Sequence, residues 1–238
     1  MNKYILGDMV TEKLKKEIGL VAKPLPGELR TMEGELPSGR MRFENALYQA
    51  GKLKKITIGN HTLGETGAGT LVLIVADDEY DLPFVVVDIA FDSGAKGEIF
   101  TEFEAKPLIK DDESTQKYVE PFRKWREALG KLPSEPVSGF GEPGEFLKAN
   151  VSPNEYVRLI PSDYADEVLK FADQFFDIFI DIYRKAEPVK DAERRRKMDA
   201  FRSEYNKHVL EEDPSGVMLM NVFGRKTAEL FYDYLLYL

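Results

Sequence analysis

Four apolar, β-branched runs lie close together at residues 54–59, 70–77, 83–91 and 96–105. The connections at 64–69, 77–81 and 92–95 are short and rich in Gly and Asp. Parallel neighbours need a crossover of about a dozen residues or more, whereas antiparallel neighbours need only a turn. The runs therefore read as an antiparallel meander.

The third run carries the most information. Leu82, Pro83, Phe84, Val85, Val86, Val87, Asp88, Ile89, Ala90 and Phe91 form an almost unbroken apolar stretch with one carboxylate inside it. β-Branched and aromatic residues favour an extended strand, and a run apolar on both faces is normally buried on both. Side-chain alternation puts Asp88 on the face of Phe84, Val86 and Ala90. Desolvation raises a carboxyl pKa unless a cation or hydrogen-bond donor compensates. Asp88 thus reads either as an acid that holds a proton near neutral pH or as a structural group bonded to a turn or an arginine.

The rest of the chain turns helical from residue 115. Residues 116–132 read as one helix ended by Pro133, 133–144 as a Pro- and Gly-rich loop, and 154–160 as a further strand. Ser162 is the expected N-cap of a long helix in which Val168, Ala172, Phe175, Phe176 and Phe179 recur at helical spacing, with Pro188 at its end. Residues 191–210 give another helix, with Met198, Phe201, Tyr205 and Val209 on one stripe, and 224–238 a closing one. Ahead of the meander, 8–19 reads as a short helix and 24–39 as a loop. Strands first and helices later predict an α+β fold, with helices packed on an antiparallel sheet.

Composition limits the chemistry. With 43% hydrophobic and 32% charged residues among 238, the chain has the balance of a soluble globular protein. No segment approaches the ~20 apolar residues of a membrane span, and Met1, Asn2, Lys3 and Tyr4 open no signal-peptide pattern, so the expected compartment is cytoplasmic. The absence of cysteine excludes disulfides, a thiol nucleophile and iron–sulfur clusters on the protein's own thiolates. His61 and His208 are the two histidines, too few for a multi-histidine metal site. A net charge of -9 argues against general nucleic-acid binding. The glycine-rich 64–69 segment joins strand to strand, so it lacks the helix N-terminus a phosphate cradle needs. Arg194, Arg195, Arg196 and Lys197 make a basic run that reads as a solvated helix face or a dock for an acidic partner.

Several motifs together resemble one family. Phe43, Glu44, Asn45 and Gln49, followed by Lys54 and Lys55, are similar to the entry motif of the ferredoxin-dependent bilin reductases. The stretch from Tyr80 to Ile89 resembles their Leu-Pro-x-Phe-x-x-Asp signature, and Ser152, Tyr156 and Pro161 resemble a later region with the spacing off by about one. Glu212, Asp213 and Pro214, then Phe223, Gly224, Ala228, Glu229 and Tyr234, follow the family's C-terminal order. The resemblance, which extends to the related red chlorophyll catabolite reductase, runs from about residue 43 to the end. It implies a single α/β/α sandwich over residues 1–238, a central antiparallel sheet flanked by helices, and a linear tetrapyrrole between the sheet and the C-terminal helices.

The resemblance also implies a reaction. Reduced ferredoxin supplies electrons singly to biliverdin or a related bilin, with no bound cofactor and no metal, and the reaction passes through bilin radicals. Buried carboxyls supply the protons, since general acid catalysis wants a pKa near the working pH. Asp88 matches the family's sheet aspartate, and Glu212 and Asp213 match its C-terminal acidic pair. Val86, His61 and Arg158 are the candidate substrate contacts. His61 faces Asp88 if its strand continues far enough, and is otherwise a turn residue. The glutamate and histidine that accompany the aspartate in the four-electron branch fall on Gly59 and near Leu71, which favours a two-electron reduction. Lys52, Lys54 and Lys55, or Arg123, Lys124 and Arg126, are candidate contacts for ferredoxin, and the protein is expected to act as a monomer. The alternative is a non-catalytic carrier of bilin or haem with the same fold.

Overall fold

The computed structural model describes residues 5–36, 39–92, 97–138 and 141–238. The expected turn at 93–95 and the strand start at 96 lie outside the described residues, as do 1–4, 37–38 and 139–140. Among the described residues nine strands form one antiparallel sheet: β1 (Val21–Ala22), β2 (Thr31–Leu36), β3 (Gly39–Ala50), β4 (Leu53–Leu63), β5 (Gly67–Ala76), β6 (Phe84–Phe91), β7 (Glu98–Lys106), β8 (Glu135–Pro136) and β9 (Tyr156–Pro161). Their spatial order is β1-β3-β4-β5-β6-β7-β9-β8, with β2 paired to β3. The helices are α1 (Ile5–Ile18), α2 (Gly27–Arg30), α3 (Asp112–Ser114), α4 (Arg123–Leu129), α5 (Glu145–Ala149), α6 (Ala165–Lys185), α7 (Ala192–Glu212), α8 (Pro214–Phe223) and α9 (Arg225–Phe231).

The meander from β4 to β7 forms as the short connections require. Gly64 makes the β4–β5 turn with a φ of 62°, a left-handed conformation that costs glycine little. Other expectations are corrected. Residues 24–39 hold α2 and β2 rather than a plain loop. β4 runs on to Leu63, so His61 is a strand residue and not part of the turn. The single helix expected at 116–132 is broken into a π turn (Thr115–Val119), a 3-10 turn (Glu120–Phe122) and α4, because Pro121 has no N–H to continue the ladder. Ser162 opens a 3-10 turn (Ser162–Tyr164), and no side chain caps α6 where it starts. α7 ends at Glu212 and Pro214 begins a new helix: Asp213 accepts the Ser215 N–H at 2.8 Å and proline occupies the first turn. Gly224, with a φ of 82°, separates α8 from α9.

The sheet divides two apolar layers. On one face α1, α4 and α6 cover Ile56, Val72, Val85, Val87 and Phe103. Here Phe122 and Phe175 lie 4.8 Å apart, and Trp125 donates its Nε1–H to the Phe171 carbonyl at 2.9 Å. On the other face α7, α8, α9 and the segment after them cover Phe43, Leu47, Leu73 and Phe84. The basic run is not simply a solvated face. Arg194 turns inward, its Nε 2.7 Å from Asp81, and also reaches Asp111 at 3.0 Å and Ser114 at 2.9 Å. This arginine fastens the start of α7 to the loop that feeds β6.

Candidate active site

Strand register sets the site. Asn45, Gly59, Leu71, Asp88 and Glu102 are successive partners across β3 to β7, so they share one face. Phe43, His61, Gly69, Ala90 and Phe100 make the adjacent row. This is the face turned to α7–α9. The positions expected for a glutamate and a histidine do fall in the row of Asp88, and there the chain has Gly59 and Leu71. The imidazole comes instead from the next row: His61 Nε2 lies 3.1 Å from Asp88 Oδ1. Its ring stacks on Phe43 with centroids 5.1 Å apart. Gly69 leaves the room, since a Cβ there would meet His61 Nε2 at 2.5 Å.

The face is not fully sealed. Leu71, Val86, Phe100, Glu102, Val157 and Leu159 are half-buried at its centre, and the Asp88 side chain is 21% exposed. Asp88 is therefore deep but reachable, at the floor of a groove roofed by the C-terminal helices.

Burial governs the titration of the groups around it. It pushes Asp88 up to about 7 and holds His61 down to about 4, so near neutral pH the imidazole is neutral and Asp88 retains much of its proton. Glu102 is raised well above the usual carboxylate range, first by burial and then by the charge of Asp88. Burial also raises Glu104, despite the Lys106 ammonium 3.2 Å away. Asp213 is raised by burial although the Ser215 N–H opposes it, and it bonds to the Tyr232 side chain. Burial keeps Tyr205 and Tyr232 protonated far above neutrality. One lysine thus faces several carboxyls whose pKa values burial raises. Among the described residues no cluster of His, Asp and Glu has the arrangement of a metal site.

The candidates read from sequence separate into two groups. Asp88, Val86, His61 and Asp213 face the groove or its acids. Glu212 is drawn elsewhere: it accepts the Phe146 N–H at 2.9 Å at the start of α5 and contacts His208 Nδ1 at 2.7 Å. Burial opposes its ionisation, but His208 and the two N–H groups prevail and hold it below the usual range. Arg158 pairs with Thr101 and shares the face of Tyr156 and Ile160, opposite Asp88. Sequence reasoning passed over Glu102, Glu104, Lys106, Tyr205 and Tyr232. For the first three the signal was present, since Glu98, Glu102, Glu104 and Lys106 alternate with Ile99, Thr101, Phe103 and Ala105 along one strand.

A cavity of about 570 Å³ lies between α1 and strands β3 and β4, lined in part by Gly7, Thr11, Ala46, Tyr48 and Asn60. It contains neither Asp88 nor any other carboxyl whose pKa burial raises. Chemistry and not volume therefore locates the site in the groove.

An antiparallel sheet between helical layers, with buried carboxyls of raised pKa on one face, suits an enzyme that delivers protons and carries no thiol of its own. The sequence profile of the ferredoxin-dependent bilin reductases matches residues 8–237, and the chain belongs to that family. It is accordingly an oxidoreductase that reduces a linear tetrapyrrole with electrons from ferredoxin. A 15,16-dihydrobiliverdin:ferredoxin oxidoreductase of Gloeobacter violaceus is 23% identical over 225 residues, covering 94% of this chain and 90% of that protein. The crystal structure of tomato phytochromobilin synthase in complex with biliverdin shares the fold, with a TM-score of 0.76 at 14% identity, covering 95% of this chain and 79% of the other. No helix among the described residues is long and apolar enough to cross a membrane.

Proposed function

We propose that the substrate is biliverdin or a closely related bilin, held in the groove between strands β5–β7 and helices α8 and α9. Asp88 is the principal proton donor and Asp213 the second, in a two-electron reduction that passes through bilin radicals. His61 and Val86 contact the substrate from the floor. The observation that carries this reading is the Asp88–His61 contact at 3.1 Å, where the Asp88 side chain stays 21% exposed. The whole chain works as one domain, monomeric and cytoplasmic, with no resident redox group.

For ferredoxin the charge placement favours α4. Lys52 donates to the carbonyls of Tyr183 and Ala186 at the end of α6, Lys54 pairs with Asp78 at 2.6 Å, and Lys55 donates to the carbonyls of Asp233 and Tyr237. Lys124 stands exposed on α4, beside an equally exposed Arg123 whose Nε is 3.0 Å from Glu120. A local basic patch steers an acidic partner even when the total charge is negative.

Anaerobic absorption spectroscopy with biliverdin, before and after a reduced ferredoxin system is added, tests the assignment. A bound-bilin spectrum that converts to a new product supports it. Binding without conversion, with a donor active on a control reductase, returns the chain to the carrier reading.

Three further outcomes follow from the states and contacts of these acids. Single-turnover product formation is expected to be level at mildly acid pH and to fall as pH rises through about 7, where Asp88 loses its proton; a pH profile checks it. His61 adds no limb near neutrality, since it charges only at about 4. Asp213→Asn keeps a good helix cap but removes an acid, and is expected to slow product formation about tenfold or more. Glu212→Ala removes the bonds to α5, and is expected to lower the melting temperature while changing turnover less than about twofold, in keeping with a contact outside the acid–base chemistry.

A further inference from the structure

Chain ends fray unless something ties them down, and the segment after α9 is firmly tied. Thr57 donates to the Leu235 carbonyl at 3.0 Å, and Lys55 to the carbonyls of Asp233 and Tyr237 at 2.7 and 2.9 Å. Asn206 of α7 meets Leu238 twice: its amide donates to the Leu238 carbonyl at 3.2 Å, and its oxygen accepts the Leu238 N–H at 3.0 Å. Strand β4 and helix α7 thus hold one turn of chain, Tyr232–Leu236, in place. The side chain of Tyr232 goes inward and is 1% exposed. Its hydroxyl reaches the first turn of α8. A Cβ on Gly216 would lie 2.7 Å from the Tyr232 oxygen and 2.5 Å from the Leu210 carbonyl, so a glycine there makes the room. Asp213 caps that same turn. Its carboxylate accepts the Ser215 N–H at 2.8 Å and the Tyr232 O–H as well.

We infer that Tyr232 is the positioning residue of Asp213, the phenol that fixes its carboxyl at the start of α8 and donates to the carboxylate left once the proton has gone. This rests on the proposed reading of Asp213 as the second proton donor. Burial and then the charge of Asp213 keep the phenol protonated far above neutrality, so it remains a donor and does not itself supply the proton. When Asp213 protonates a bilin that has taken up an electron from ferredoxin, the acid is left negatively charged among other acids. Glu102 and Glu104 face it from β7, and Tyr205 is buried beside it on α7. Lys106, 3.2 Å from Glu104, offsets part of that charge. The Ser215 N–H and the Tyr232 O–H meet the carboxylate directly, and hydrogen bonds to a charged form favour it. Solvent returns the proton afterwards. Tyr232 acts through Asp213 and needs no contact with the substrate.

The test reads Asp213 itself. In the full chain labelled with carbon-13 at the aspartate side-chain carboxyls, the Asp213 resonance is identified by its loss in Asp213→Asn and followed by NMR as pH changes. Tyr232→Phe keeps the ring and removes the donor, and is expected to raise the titration midpoint by about one pH unit. The same variant is expected to bind biliverdin as the wild type does and to form product about threefold to tenfold more slowly, because the carboxyl gives up its proton less readily. A tyrosine that served only the packing would move the melting temperature and leave the midpoint where it was, and an unmoved midpoint overturns the inference. So does a raised midpoint with product formed at the wild-type rate. Should Tyr232→Phe fail to fold, tyrosine labelled with carbon-13 at Cζ gives the reciprocal reading. The Tyr232 resonance, assigned through its ring neighbours Phe231 and Tyr237, is expected to shift in Asp213→Asn, and an unshifted resonance overturns the inference. If Asp213→Asn itself forms product at the wild-type rate, the donor reading of Asp213 fails, while the titration still decides whether Tyr232 holds that carboxyl.

Discussion

Replacing Asp88 with asparagine is expected to leave biliverdin bound and to lower product formation by about 10²- to 10⁴-fold, the range lost when a general acid is removed. Asparagine has nearly the same shape and can still meet His61 Nε2, so the groove keeps its form. What it lacks is the transferable proton that burial keeps on the carboxyl up to about pH 7. Electron delivery does not depend on that proton. A stalled one-electron species should therefore accumulate in the variant, visible as a long-lived radical absorption and a paramagnetic signal. Conversion at the wild-type rate would remove Asp88 from the mechanism. Loss of binding would instead assign it to holding the substrate.

The second large effect concerns stability. Arg194→Ala is expected to destabilise the fold by about 3–5 kcal/mol, because it leaves the carboxylate of Asp81 buried without its partner. Arg194 is 14% exposed and Asp81 5%. The more exposed partners Asp111 and Glu113 add little, since solvent-screened pairs are worth about 0–1 kcal/mol. The pH dependence gives a second signature. Burial already raises the pKa of Asp81 against the pull of Arg194, and removing the arginine raises it further. An acid whose folded pKa lies above its unfolded value costs stability as pH rises past the unfolded value, and the full cost is reached above the folded value. The deficit of the variant should therefore be smaller at pH 4 than at pH 8, as denaturant titrations at the two pH values would show.

The central strands and the long helices were legible because their signals are local. Residues 83–91 are apolar on both faces, and the turns beside them leave no room for a crossover. Strand β3 was not legible in the same way. Its outer positions Arg40, Arg42 and Glu44 face solvent, so it shows alternation and no apolar run, and it sits next to a loop rich in Pro and Gly. The break at Pro121 was hidden inside an otherwise helical pattern. Asp88 stood out because it interrupts an apolar run. Glu102 did not, because β7 carries charge at every second position and only the register shows which of these meets Asp88. His61 depended on four further residues of β4, and strand ends are what periodicity defines least well. The separation of Glu212 from Asp213 is likewise beyond sequence, since adjacent residues leave the end of α7 in different directions.

The sheet also acts as a partition between two kinds of selective pressure. Odd positions of β6 and β7 (Val85, Val87, Ile99, Phe103) are committed to the layer of α4 and α6, where shape complementarity sustains folding. Even positions (Val86, Asp88, Phe100, Glu102) border the groove. Side chains on the groove side can therefore be exchanged one at a time without disturbing the packing behind them. A lineage could change which bond of its pigment is reduced through a few alternate residues, with the scaffold left as it was. Colour chemistry and foldability would then evolve almost independently, on opposite sides of the same strands.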